Sequence, residues 1–299
     1  MTVAVIGEAL IDLGDHPLPG GSPLNVAVGL VRLAQPVRLF ARLSSDSYGG
    51  LLRAHAAGVD LTAAVDTDEP STVATVRLDA GGSASYEFTL GADFGWTDAE
   101  LAPLLSTDAQ IVHFGSLASW LPPGAQAIDR AVVARRTAGT SLITYDPNVR
   151  PALQPDVASA RAAVERSVSH AHVVKASAED VAYLYQVADP AVVAERWQQL
   201  GARLVVITRG ARGPVAFTAR GVIERAPHPV EVVDTVGAGD AFMAGLLDAL
   251  LRRGATDAQA LDAVDLAGVL DDAALVAALT CSRAGADPPT RAEVDSALL

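Results

Sequence analysis

Short apolar, β-branched runs alternate along this chain with longer Ala/Leu stretches. VAVI (3–6), VRLFARL (37–43), IVHFG (111–115), SLITYD (141–146), HVVKA (172–176) and LVVIT (204–208) are largely unpatterned, as strands buried on both faces are. Between them PLNVAVGLVRLA, GGLLRAHAAG, AQAIDRAVVARRTAG, residues 157–168 and VVAERWQQLG place apolar residues at amphipathic helix spacing. Strand–helix alternation predicts an α/β fold with a mostly parallel central sheet and helices on both faces. In such sheets ligands bind beyond the carboxyl ends of the strands. The last third, rich in Ala, Leu and Asp, reads as helical, and no repeat or linker divides residues 1–299, which read as one domain.

One stretch departs from this rhythm. STVATVRLDAGGSASYEFTLG (71–91) is two alternating strands around Ala80-Gly81-Gly82, a β-hairpin pattern. By pattern alone it is either an antiparallel sheet edge or a flap over a site.

Composition narrows the partners. A net charge of −13 and a pI near 4.8 argue against a sequence-independent grip on nucleic acid or on an anionic membrane. Mean hydropathy is +0.29, yet no apolar run reaches the roughly 18–20 residues of a membrane span. MTVAVIGEALIDL meets Glu8 and Asp12 early and reads as a first strand, not a signal peptide. The one cysteine, Cys281, allows no internal disulfide and reads as a small core residue. A cytoplasmic location is expected.

Two glycine-rich stretches hold the candidate chemistry. DTVGAGDAFMAGL (234–246) sets small residues before an apolar helix and puts one acid, Asp240, among them. It lacks the Lys-Ser/Thr of a P-loop and the third glycine of a dinucleotide fingerprint. Free amides at a helix start attract anions, so the backbone N–H groups of Gly237, Ala238, Gly239 and Asp240 form an expected hole for a transferring phosphoryl group. Asp240 would then be the base that takes a proton from the acceptor hydroxyl while the amides face the phosphate. In PGGSPLNVAVGLVRL (19–33), Gly20-Gly21 reads as a close-approach turn, Ser22 as an N-cap and Pro23 as the first helical residue. Asn25 then falls in the first turn, an amide among apolar neighbours that needs a partner.

These stretches resemble the two signatures of the PfkB/ribokinase family of carbohydrate kinases, GG-x-x-x-N and DTxGAGD. FARLSSDSYGGLL, IVHFGSL, VKASAED, VITRGARGPVAF and CSRAGADPPT extend the resemblance over nearly the whole chain, and GEALIDL, GGSPLNVA and DPNVR look most like the fructokinase branch. The resemblance implies a ribokinase-like fold with a small β lid, its elements about 10–20 and 70–96. It implies that Asp12, Gly20, Gly21 and Asn25 bind sugar hydroxyls and that Arg150 lies near the reaction centre, steadying phosphate. Ser177 and Asp180 occupy the family's Asn-x-x-Glu positions, which organise Mg²⁺ and phosphate through water; both side chains are shorter here. Thr208 and Gly210 match the ATP-loop Thr-x-Gly, Gly237 and Gly239 also face ATP, and 274–285 lines the adenine side. Asp234 and the Val236 carbonyl match a monovalent-cation site of some members, which would take K⁺.

The implied activity is ATP-dependent phosphorylation of a neutral sugar, D-fructose at its 6-hydroxyl, since the lid offers only Arg77 to an anionic substrate. A ribokinase or a nucleoside kinase is the alternative within the family, with Tyr86, Phe88, Phe94 and Trp96 available to stack a base. A non-catalytic sugar- or nucleotide-binding regulator is the alternative from another class, although Gly239 and Asp240 are intact. A dinucleotide oxidoreductase lacks its fingerprint after VAVIGEAL. Only seven residues separate Asp12 from Gly20, fewer than is common in the family. Part of the lid sheet is therefore expected to be missing, which leaves a homodimer through the lid open.

Overall fold

Val3 and Val5 pack on one side of the first strand and Ala4 and Ile6 on the other, all four fully buried. The structure, a computed structural model, describes residues 2–78, 84–154, 156–186 and 189–298, excepting the side chains of 76–78 and 84–86. In chain order the strands are β1 (Val3–Ile6), β2 (Leu10–Leu13), β3 (Pro17–Gly20), β4 (Val37–Phe40), β5 (Arg42–Ser44), β6 (Val65–Thr67), β7 (Val73–Leu78) and β8 (Ala84–Thr89). Then come β9 (Ile111–Gly115), β10 (Leu142–Asp146), β11 (Val173–Ser177), β12 (Leu204–Thr208), β13 (Val215–Thr218) and β14 (Gly221–Glu224). The helices are α1 (Ser22–Arg32), α2 (Ser47–His55), α3 (Asp98–Ser106), α4 (Ala125–Ala138) and α5 (Val157–Val168). They continue with α6 (Ala178–Tyr185), α7 (Pro190–Leu200), α8 (Ala238–Arg252), α9 (Leu266–Cys281) and α10 (Arg291–Ala297).

Among the described residues, eight strands form the central sheet in the order β14-β13-β12-β11-β10-β9-β1-β4. Every pairing from β12 to β4 is parallel; β13 and β14 add an antiparallel edge. One face packs on α1, α2, α8, α9 and α10, the other on α3 to α7. This is the expected mostly parallel sheet covered on both sides.

VRLFARL does not run through as one strand. β4 ends at Phe40, and β5 leaves the central sheet to pair with β6. The reason is Arg42, a charge that a sheet interior cannot accommodate. Its Nε donates to the Ala92 carbonyl oxygen at 2.7 Å and its NH1 pairs with Glu100. Cys281, expected in the core, closes α9 half-buried, and its carbonyl oxygen accepts the Val233 and Asp234 amides at 2.8 and 3.2 Å.

The hairpin strands β7 and β8 belong to a separate four-stranded sheet, β3-β2-β7-β8, and not to an edge of the central sheet. Its Ala80-Gly81-Gly82 turn lies outside the described residues. The short Asp12–Gly20 segment still supplies two strands: β2 and β3 form a tight antiparallel pair with Asp12 opposite Leu18. A small apolar cluster of Leu10, Ala74, Phe94, Leu117 and Trp120 packs this small sheet against the rest of the protein.

Candidate active site

Two helices bring the chemistry together. Gly29 of α1 lies against Ala244 of α8, so close that a β-carbon at 29 would sit 2.8 Å from the Ala244 methyl. Small residues at such a crossing let helices approach beyond the usual 8–10 Å. The approach carries the first turn of α1 onto the first turn of α8. There Ser22 Oγ donates to Asp240 Oδ1 at 2.6 Å and Asn25 Nδ2 donates to Asp240 Oδ2 at 2.8 Å. Asn25 Oδ1 is buried and has no partner.

Ser22 is therefore not the cap that its position suggested. Gly21 takes the cap position with φ 101°, a conformation that lets its Cα lie against the Glu8–Leu10 backbone, and Ser22 and Pro23 both fall inside the helix. The hydroxyl is freed for Asp240 instead. At α8 the cap is Gly237 in the left-handed region, φ 73°. The Ala238 amide donates to Thr235 at 3.2 Å and the Ala241 amide to Gly237 at 2.8 Å. Among the described residues those of Gly239 and Asp240, between them, have no backbone acceptor, as expected of donors at a helix start. Of the four amides assigned to the anion hole, Ala238's is thus already engaged.

Asp12 lies over Gly20 across the β2–β3 pair, where a β-carbon would overlap its carboxylate. Burial pushes the Asp12 carboxyl up to about 6; the Arg150 charge draws it down and the Asp240 charge adds to the rise. Both charges thus reach Asp12. Arg150 NH1 is steered by Asn148 Oδ1 at 2.7 Å, with Asn148 at φ 38°, a conformation that asparagine tolerates and most residues resist. Below these groups Glu8 is fully buried and accepts the Ala118 amide at 3.1 Å; burial raises its carboxyl. Asp93, also buried, accepts the Ala9 amide at 2.9 Å through one oxygen, leaves the other unpartnered, and is pushed up to about 7 by burial.

On the other side, Ser177 and Thr208 are register partners at the carboxyl ends of β11 and β12, and Gly210 follows at φ 54°. Ser177 caps α6 in a reciprocal box with Asp180. Asp180 accepts the Val149 amide at 2.9 Å through Oδ1 and the Ser177 amide and hydroxyl through Oδ2. The shortened pair thus closes its own capping box. Asp234 accepts the Val236 and Gly285 amides at 3.0 and 2.8 Å, which lower its carboxyl and tie the loop before Gly237 to the end of α9.

Sequence reasoning passed over one pair. Lys175 Nζ meets Asp146 Oδ2 at 2.7 Å, both side chains nearly inaccessible. Burial pulls the Lys175 ammonium down, but Asp146, with Asp240 and Asp180 beyond it, more than restores it. Burial pushes Asp146 up to about 6 against the pull of Lys175. The signal was a charged residue inside the apolar run HVVKA.

Among the described residues no group of three His, Cys, Asp or Glu side chains could enclose a metal. No helix among them is long and apolar enough to cross a membrane.

The family model for pfkB family carbohydrate kinases matches residues 16–293. A protein named fructokinase from Rhizobium leguminosarum bv. trifolii is 35% identical over 258 residues, covering 82% of this chain and 78% of its own. The crystal structure of a Xylella fastidiosa fructokinase with bound ATP is 30% identical with a TM-score of 0.87, covering 99% of this chain and 97% of that one. A Vibrio cholerae O395 fructokinase, solved with fructose, ADP and calcium, is 26% identical with a TM-score of 0.83 and covers 99% and 98%. Matched from residue 16 to residue 293 and superposable along nearly its full length, this chain belongs to the pfkB family of carbohydrate kinases.

Proposed function

We propose that this chain transfers the γ-phosphoryl group of ATP to the 6-hydroxyl of D-fructose, giving fructose 6-phosphate and ADP. The observation that carries the reading is Asp240. It stands at the first turn of α8, pinned by Ser22 and Asn25, with unoccupied amides on one side and Asp12 within electrostatic reach on the other. Relatives named fructokinase, one of them solved with fructose and ADP, support the choice of sugar.

In this mechanism Asp12 and the Asn25 carbonyl oxygen accept sugar hydroxyls, and the Gly20-Gly21 backbone leaves room for the ring. Asp240 accepts the proton of the 6-hydroxyl as that oxygen bonds to the γ-phosphorus and the bond to the bridging oxygen of ADP breaks. The amides of Gly237, Gly239 and Asp240 receive the charge that develops on the phosphoryl oxygens, and Arg150 steadies it from the sugar side. Ser177, Thr208 and Gly210 frame the nucleotide. Mg²⁺ carried on the ATP phosphates would supply charge neutralisation, with Asp180 holding its water shell. K⁺ would take Asp234 and the Val236 carbonyl.

Nucleoside specificity has less to stand on. Phe94 and Trp96 are 5% and 4% exposed, packed in the body of the protein and not offered to a base. A coupled ADP-release assay over fructose, ribose, adenosine and keto-deoxygluconate tests the reading. Fructose should give the highest kcat/KM. Preference for another acceptor overturns the sugar assignment, and no turnover with any of the four favours a regulator.

A further inference from the structure

Arg150 is half-buried and held through NH1 alone, by the Asn148 and Val149 carbonyl oxygens at 3.3 and 3.2 Å and by Asn148 Oδ1 at 2.7 Å. An asparagine amide has a donor end and an acceptor end of nearly the same shape, so something must turn the acceptor toward the guanidinium. Asn148 Nδ2 donates to Ser116 Oγ at 3.1 Å, and the Ser116 hydroxyl bonds the Glu8 carboxylate. A hydroxyl has one proton to give, and a carboxylate only accepts. With that proton on Glu8, Ser116 Oγ can only accept from Asn148, which leaves the Asn148 carbonyl oxygen for Arg150. Glu8 is itself fixed, fully buried and accepting the Ala118 amide at 3.1 Å through Oε2. Burial raises its carboxyl, and the Ser116 hydroxyl, the Ala118 amide and the Arg150 charge pull it back. The three residues follow the carboxyl ends of the adjacent strands β1, β9 and β10. Both linking residues sit at a conformational cost, Ser116 at φ 53°, ψ −153° and Asn148 at φ 38°. Glycine would take either place without strain.

We infer that Glu8, Ser116 and Asn148 are positioning residues for Arg150, a relay of hydrogen bonds whose direction the buried carboxylate sets and which aims the guanidinium at the transferring phosphoryl group. The inference rests on the ATP-dependent transfer proposed above and on the place given there to Arg150. The three residues act through Arg150 and add no covalent step. A guanidinium fixed in advance needs no reorganisation as charge develops on the phosphoryl oxygens. Because the relay depends on direction, it is sensitive to a change that leaves shape alone. In Glu8→Gln the side-chain oxygen must stay on the Ala118 amide, so its NH₂ faces Ser116 as a donor. The hydroxyl then turns its proton to Asn148, whose amide flips to receive it and presents its own NH₂ to Arg150, donor against donor.

The test is Glu8→Gln, Ser116→Gly and Asn148→Gly, each alone and combined with Arg150→Met, read by melting temperature, kcat on fructose and KM for ATP. Glutamine removes a buried charge and glycine removes backbone strain, so the single variants should stay folded. The expected result is a kcat about 10- to 100-fold below wild type in each, the cost of a misplaced group, with KM for ATP nearly unchanged. On the Arg150→Met background each should cost less than about twofold more, because no guanidinium is left to misplace. Wild-type kcat in Glu8→Gln, or losses that add in full to that of Arg150→Met, would show a merely structural role and overturn the inference. If the wild-type protein does not turn over fructose, the sugar assignment fails separately, and the ¹⁵N order parameter of Arg150 Nε decides. A value in Glu8→Gln below that of wild type upholds the relay, and an unchanged value ends it.

Discussion

Asn25 gives its amide to Asp240 at 2.8 Å and keeps its own carbonyl oxygen buried and unpartnered. A buried orphan acceptor costs free energy until a donor arrives, and in the proposed mechanism a sugar hydroxyl is that donor. Asn25→Ala should lower kcat/KM for the sugar about 10- to 100-fold, the worth of a hydrogen bond to a charged group, through both KM and kcat. Asn25→Asp should be worse than Ala, since it sets a second carboxyl against Asp240. Steady-state kinetics on fructose decide the order, and an aspartate variant as active as the alanine one would contradict it.

Asp240→Asn keeps the shape and removes the proposed base. Its amide can still accept from Asn25 and donate to the Ser22 hydroxyl, so the melting temperature should stay within about 2 °C of wild type. The kcat should fall about 10²–10⁴-fold with ATP affinity nearly unchanged. A variant with wild-type kcat would remove Asp240 from proton transfer.

A methyl on residue 20 has no room beside the Asp12 carboxylate. Gly20→Ala should therefore raise KM for the sugar about tenfold or more, a loss of about 1.4 kcal/mol in binding, while KM for ATP holds steady. Equal effects on both substrates would mean that the change disturbs the helix behind the turn and not the carboxylate.

Asp12 accepts hydroxyl protons best as a carboxylate, and burial holds its carboxyl up to about 6. Below that pH it is protonated, so kcat/KM for the sugar should drop as pH falls through about 6. Asp12→Asn should lower activity and flatten this limb of the profile. An acid limb that persists unchanged in that variant would assign the titration to another group.

Burial pushes the Asp93 carboxyl up to about 7, well above the usual carboxylate range, because it favours the neutral form. A carboxyl raised on folding binds its proton more tightly in the native state, so stability is lost as pH rises from about 4 to about 7. Asp93→Asn removes that loss. Its melting temperature should match wild type near pH 4 and exceed it at pH 8. Parallel curves for the two proteins would refute the assignment.

Much of this architecture was legible because it is written in local periodicity. VAVI, IVHFG and LVVIT, short, apolar and β-branched, read as two-sided buried strands, and Gly237 to Asp240, ahead of an apolar run, read as the opening of a helix. What was not legible depends on residues far apart. Ser22 reads locally as a cap, and only the arrival of Asp240, 218 positions later, explains why its hydroxyl points elsewhere. Lys175 and Asp146 are 29 positions apart, and nothing in either neighbourhood says that neighbouring strands will align them. Arg42 inside VRLFARL was the visible sign that the strand would break, but its partners Ala92 and Glu100 are set by tertiary packing. The short Asp12–Gly20 loop misled through length alone, since four residues suffice for each strand of a hairpin.

The close contact of Gly29 with Ala244 fixes the spacing between the first turns of the two helices, to which the proposed mechanism assigns acceptor binding and proton removal. Any drift in their spacing would spoil both tasks at once, so variation in acceptor choice is channelled away from them. The hairpin strands β7 and β8, joined to the body by a small apolar cluster, are the part left free to diversify. A mutational library confined to them should broaden the range of sugars without touching the proton-transfer step.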